Sequence, residues 1–122
     1  MYIINSIFSD DELILLNFIL SQPFPERDKT VEYINQLTGE DIVRDFSPYY
    51  MIFEFCTKDI LPGYSSGLRK LTTARVLHPN SNTPTVFTLY EKDGFPFEFE
   101  IFNADSCEIK IDTILDGEVL FE

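Results

Sequence analysis

The chain has 122 residues, 44% hydrophobic and 25% charged, with a formal net charge of −12; this describes one globular domain, residues 1–122, and excludes fibrous and disordered classes. Such a charge repels nucleic acid and anionic lipid, and no apolar run reaches the roughly 18 residues of a bilayer span, so neither nucleic acid nor membrane is expected as a partner. The start, Met1-Tyr2-Ile3-Ile4-Asn5, lacks a basic region and a cleavage site and reads as cytoplasmic, with Cys56 and Cys107 as reduced thiols.

Ser9-Asp10-Asp11-Glu12 has the form of a capping box, in which the Ser9 hydroxyl accepts the Glu12 amide and the Glu12 carboxylate reaches back. It opens a predicted helix over 10–21 whose Leu13, Ile14, Leu16, Phe18, Ile19 and Leu20 are apolar on most sides, which predicts deep burial until Pro23. A second, amphipathic helix is predicted over 28–37, with Val31, Ile34 and Leu37 facing inward and Gly39 as its stop.

From Ile42 the hydrophobic period moves from 3.6 toward 2. Residues 42–44 form a weak first strand. Residues 49–57 form a strong one, with Met51, Phe53 and Phe55 on one face and Ile52, Glu54 and Cys56 on the other. Cys56 is expected to be a buried small hydrophobe there. A surface loop over 58–67 and a third strand over 71–77 follow, ended by His78 and Pro79.

The clearest local signal is a hairpin of 85–90 and 95–102 around Asp93-Gly94. A two-residue turn would set Leu89 against Glu98 and Phe87 against Glu100. A three-residue loop, Lys92-Asp93-Gly94, pairs Leu89 with Phe97, Phe87 with Phe99 and Thr85 with Ile101, and this register is the one expected. It sends Glu98 and Glu100 outward together. Beyond Asn103 the chain is acidic, and Ile109, Ile111, Ile114, Leu115, Val119 and Leu120 suffice for one more strand or a docked tail.

Chemistry is sparse. His78 is the single histidine and neither cysteine has a CxxC neighbour, so a zinc cluster is not expected, and no phosphate-cradling, metalloprotease or EF-hand motif occurs. No cofactor and no catalytic set are predicted. Tyr33, Tyr49, Tyr50, Tyr64 and Tyr90 are candidates for a partly exposed interface.

Asp11-Glu12 followed by Leu16 and Leu20, then Phe24-Pro25-Glu26-Arg27-Asp28, Gln36-Leu37, Val43-Arg44, and Asp93-Gly94 leading to Phe99-Glu100-Ile101-Phe102, resemble a group of small uncharacterised bacterial proteins. That group often has glycine where Glu26 stands, and a cysteine-rich stretch near 44–50 that this chain lacks. The resemblance implies the architecture and a bacterial origin, and brings no activity with it.

These readings predict an α+β domain with two N-terminal helices on one face of a four- to five-stranded antiparallel sheet. The strand face of Phe87, Leu89, Phe97, Phe99 and Ile101 should meet the first helix. The last thirty residues hold nine acids opposed by Lys110 alone. A non-catalytic module that binds a basic protein through an acidic face, of the kind that neutralises a toxin as an immunity protein does, is therefore expected, with Glu98, Glu100, Asp105 and Glu108 as the partner-binding residues. The competing expectation is a small-molecule binder or unorthodox enzyme, in which 58–67 is a lid and Arg69, Lys70 and Arg75 hold an anion.

Overall fold

The computed structural model describes residues 1–56, 68–79, 81, 83–105 and 107–121. The predicted loop and lid over 58–67, with Tyr64, lies outside the described residues. Helices α1 (Asp10–Ile19) and α2 (Arg27–Asn35) precede strands β1 (Ile42–Phe46), β2 (Tyr50–Phe55), β3 (Arg69–Leu77), β4 (Thr85–Lys92), β5 (Phe95–Asn103) and β6 (Glu118–Phe121). The fold is α+β.

Among the described residues the strands form one antiparallel sheet in the order β1-β2-β5-β4-β3-β6, one strand more than expected. The extra strand is the apolar tail. β6 pairs along β3 while Ile114, 3% exposed, anchors the turn before it.

The capping box at Ser9 forms as read: the Glu12 amide donates to Ser9 Oγ at 3.2 Å, and the Ser9 amide donates to Glu12 Oε1 at 2.9 Å. α1 buries Leu15, Leu16 and Ile19, with Leu20 beyond its end, but turns Ile14 to solvent at 50% exposure. The predicted all-round burial therefore fails at Ile14, because the sheet covers only one side of the helix. Asn17, an interruption in the apolar run, is a clamp. Its Oδ1 accepts the amides of Tyr2 and Ile3, each at 2.7 Å, and its Nδ2 donates to Ile3 O.

α2 ends at Asn35 and is not stopped by Gly39, which opens a 3-10 turn, Gly39–Asp41. The reason lies outside the helix. Asn5 Nδ2 donates to the carbonyls of Ile34, Asn35 and Leu37 at 3.0, 3.2 and 2.8 Å. Ile34 and Asn35 supply the last carbonyls of the helix, so a side chain meets acceptors at its end and no left-handed glycine is needed.

The hairpin departs from the expected register. Leu89 pairs with Phe99, Phe87 with Ile101 and Thr85 with Asn103. At the tip, Asp93 and Gly94 take φ of 53° and 86°, Lys92 pairs with Phe95 and Glu91 with Pro96. This is the two-residue turn, followed by a bulge: Tyr90 already pairs with Glu98, leaving Phe97 as the additional residue. The bulge adds one position to β5 and removes the clash between carboxylates and the apolar face. Glu98 and Glu100 point away from the core as expected, whereas Phe97 leaves it and lies under the Lys92 ammonium, 5.0 Å from the ring centre.

The helix-side face carries Phe53 and Phe55 of β2, Phe99 and Ile101 of β5, Phe87 and Leu89 of β4, and Ala74 and Val76 of β3, all at 0% exposure. Each buried Phe, Leu or Ile contributes about 1.5–3 kcal/mol relative to its exposed state. Phe18 of α1 meets Phe87 edge-on at 4.9 Å, and Phe53 stacks on Phe99 at 5.7 Å. No helix is long and apolar enough to cross a membrane among the described residues.

Candidate protein-binding face

Both helices pack on the same side of the sheet, and among the described residues no helix packs on the other. Pairing fixes what that open face presents. In one row Val43 lies beside Glu54 and Glu54 beside Glu98; in the next, Asp45 lies beside Ile52 and Ile52 beside Glu100. Four carboxylates therefore gather across β1, β2 and β5. Tyr90 lies opposite Glu98, and Tyr50 pairs with Phe102, so aromatic rings border the acids. Of the bases on this face, Lys70 and Arg75 lie on β3, beyond β4, while Lys92 of β4 is buried over the Phe97 ring.

Electrostatics register the crowding. Burial raises the Glu98 carboxyl above the usual range, and the charges of Glu100 and Glu54 raise it further. Tyr90 is raised by burial, then by Glu100 and Glu98. Tyr50 is raised first by the charge of Asp45, to which its hydroxyl donates at 3.3 Å. Like charges directly opposite on adjacent strands are destabilising, so the Glu54–Glu98 pair weakens the isolated fold.

The four residues named from sequence are divided. Glu98 and Glu100 sit on the open face. Asp105 and Glu108 follow β5 and line a separate cleft of about 720 Å³ with Thr85 and Asn103, which point to the helix side. There the Cys107 amide donates to Asp105 Oδ1 at 3.0 Å, which holds the Asp105 carboxyl below its usual range. Asp45, Glu54 and the flanking Tyr50 and Tyr90 complete the open patch. Glu54 was legible as outward on β2, but its neighbour across the strands was not.

His78 and Cys107 both line the 720 Å³ cleft, the pairing a thiol nucleophile would need. Their environment disfavours that chemistry. His78 Nδ1 faces Asp116 O at 3.1 Å and Nε2 faces Thr85 Oγ1 at 3.2 Å, while hydrogen bonding to Asp105 raises the Cys107 thiol. Cys56 is not the buried hydrophobe expected. It follows the last residue of β2, is exposed, and its thiol is raised by partial burial and then by Glu54. Both cysteines are free, and among the described residues no cluster of His, Cys, Asp and Glu is placed to hold a metal ion.

Arg69 and Arg75 lie on opposite faces of the sheet, paired across strands with Glu91 and Val86; neither lines this cleft, and Arg69 Nε lies 2.8 Å from Glu91 Oε1. Comparison of the chain with protein-family models, curated proteins and solved structures finds no match.

Proposed function

We propose that the protein is a non-catalytic acidic module that binds a basic protein on the open face of its sheet, in the manner of an immunity protein that neutralises a cationic toxin. The observation that carries this reading is the row Glu54–Glu98 with Glu100 and Asp45 alongside, bordered by Tyr50, Tyr90 and Phe102. Carboxylates in direct apposition cost stability in the free chain. A cationic partner would relieve that cost on binding, and opposite charge would speed and select the encounter. The tyrosines would supply contact area of the kind enriched at interface centres. Asp105 and Glu108 form a second acidic group at the end of β5.

The chain departs from the resembled group of small bacterial proteins at Glu26. Its φ of 66° lies where glycine is at ease, and glycine is what that group often carries there.

The test is affinity capture on the immobilised protein from the native host at low salt. The expected result is a basic protein, released by high salt and not retained by a Glu54→Gln, Glu98→Gln, Glu100→Gln triple variant, yet retained by an Asp112→Asn, Asp116→Asn control. Retention by the triple variant, or recovery of no basic protein, defeats the reading.

A further inference from the structure

The two edges of the sheet are not alike. β1, at one edge, carries Arg44 and Asp45 in mid-strand, and Arg44 is drawn across to Glu12 and Ile7. Charge on an edge strand deters a further strand from pairing with it. β6, at the other edge, has no strand on its outer side among the described residues. No lysine or proline guards it, and its one charge, Glu118, stands at its first position. Leu120 and Phe121 are 50% and 43% exposed and point to opposite faces of the sheet. Phe121 lies against Phe18, with 5.8 Å between ring centres, and Ile14, one turn earlier on α1 and half exposed, continues that apolar shelf.

Register decides what fits this edge. Residues directly opposite in an antiparallel pair point to the same face, so two copies of β6 related by a two-fold axis must place that axis through a residue and not between two. An axis at Leu120 would set Glu118 against Glu122 of the partner copy, and like charges directly opposite are destabilising. An axis at Val119 sets Glu118 against the partner's Leu120 instead. On the helix side it lines up Val76, Val119, the partner's Val119 and the partner's Val76, a row of β-branched side chains that suits a sheet. On the open side Leu120 then has Arg75 on one flank and the partner's Glu118 on the other, so opposite charges bracket it in both halves. Phe121 meets the partner's Gly117, which brings no side chain of its own.

We propose that the protein pairs with a second copy of itself, β6 against β6, antiparallel about an axis at Val119, so that the two sheets run on as one. The helices of both copies then lie on the same side. The acids of β2 and β5 take no part, and the contact stands independently of the open face. An edge contact of this length falls in the small class, below roughly 1,200 Å², so association is weak and rises with protein concentration. Each copy carries −12, so added salt should strengthen it, the reverse of its effect on a basic partner.

Sedimentation equilibrium of the whole chain, with Cys56→Ser and Cys107→Ser to prevent stray disulfides, should show a monomer and dimer in exchange, tighter at high salt. Leu120→Lys should weaken the dimer at least about tenfold by guarding the edge, and Glu100→Gln should not weaken it. In the same background Val119→Cys sets two thiols directly opposite across the axis, at a spacing a disulfide can bridge. It should form a covalent dimer at least about tenfold faster than Leu120→Cys, which faces the partner's Glu118. A monomer at every concentration and salt, a dimer that folded Leu120→Lys leaves intact, or faster cross-linking at Leu120→Cys overturns the proposal. Protection of the outer β6 amides only when a different protein is bound also overturns it, because the edge then belongs to a foreign strand. The Leu120 variants change a half-exposed side chain, and they decide the matter should Val119→Cys not fold.

Discussion

Glu12 and Arg44 meet in a two-point contact, with Arg44 Nε donating to Oε2 at 2.7 Å and Nη2 to Oε1 at 3.0 Å. The same carboxylate accepts the Ser9 amide, and Arg44 Nη2 also donates to Ile7 O. One acidic side chain thus caps α1 and ties it to β1. Burial opposes its ionisation, but the Arg44 hydrogen bond, the Ser9 amide and the Arg44 charge together outweigh that and hold the carboxyl below its usual range. Glu12→Gln should cost about 2 kcal/mol in urea denaturation at neutral pH, combining a lost cap with a lost charge-assisted bond. Because the folded value is depressed, this stability is present above the ordinary carboxylate range and is lost as pH falls through the folded value. The gap between wild type and variant should therefore close on acidification. In a double-mutant cycle with Arg44→Met, the double variant should lose less than the two single losses added together.

Glu98 has the opposite sign. Its folded carboxyl sits above the usual range, so the folded form holds the proton more tightly than the unfolded chain and ionisation costs stability. Glu98→Gln should stabilise by about 0.5 kcal/mol at neutral pH, the scale of a like-charge cross-strand pair. The gain should fade as pH falls through the raised folded value, be gone once pH is below the ordinary carboxylate range, and shrink in high salt. A loss of stability in Glu98→Gln would mean that the row of acids is not strained.

The bulge is tested by two phenylalanines. Phe99 is 0% exposed and stacked on Phe53, so Phe99→Ala should cost about 3–5 kcal/mol. Phe97 is the additional residue, partly buried beneath Lys92 and outside the core, and Phe97→Ala should cost about 1 kcal/mol or less. Comparable losses at both positions would restore the three-residue loop register, which buries both rings.

What could be read from the chain was what its near neighbours decide. The capping box closes within four residues, and the alternation of Met51, Phe53 and Phe55 names a core face without reference to any partner strand. The bulge at Phe97 leaves no mark in composition, yet it moves every later pair in the hairpin. The acidic patch arises from β2 lying beside β5, an adjacency that spans some forty residues of chain. Glu91, next to a turn, carries no mark of burial in the sequence, yet it is 9% exposed, paired with Arg69, and lines a cleft between α2 and the hairpin tip.

Two glycines separate conformation from space. Gly94 has φ of 86° and nothing near the position of a β-carbon, so Gly94→Ala should cost about 1 kcal/mol, through backbone strain alone. Hydrogen-exchange protection should then fall evenly across the protein. Gly117 carries no left-handed requirement, but a β-carbon there would stand 2.5 Å from Leu77 O and 2.9 Å from Leu77 C. Backbone atoms in a paired strand cannot swing aside as a flexible side chain can, so β6 itself must move. Gly117→Ala should cost about 1–3 kcal/mol, and the loss should be local. Amides that join β6 to β3 should lose protection first, with the β2–β5 pair unchanged. Since Asp116 O is the group that faces His78 Nδ1, the imidazole resonances should shift in Gly117→Ala and stay in place in Gly94→Ala. Uniform loss in Gly117→Ala would show instead that β6 is as firmly held as the centre of the sheet.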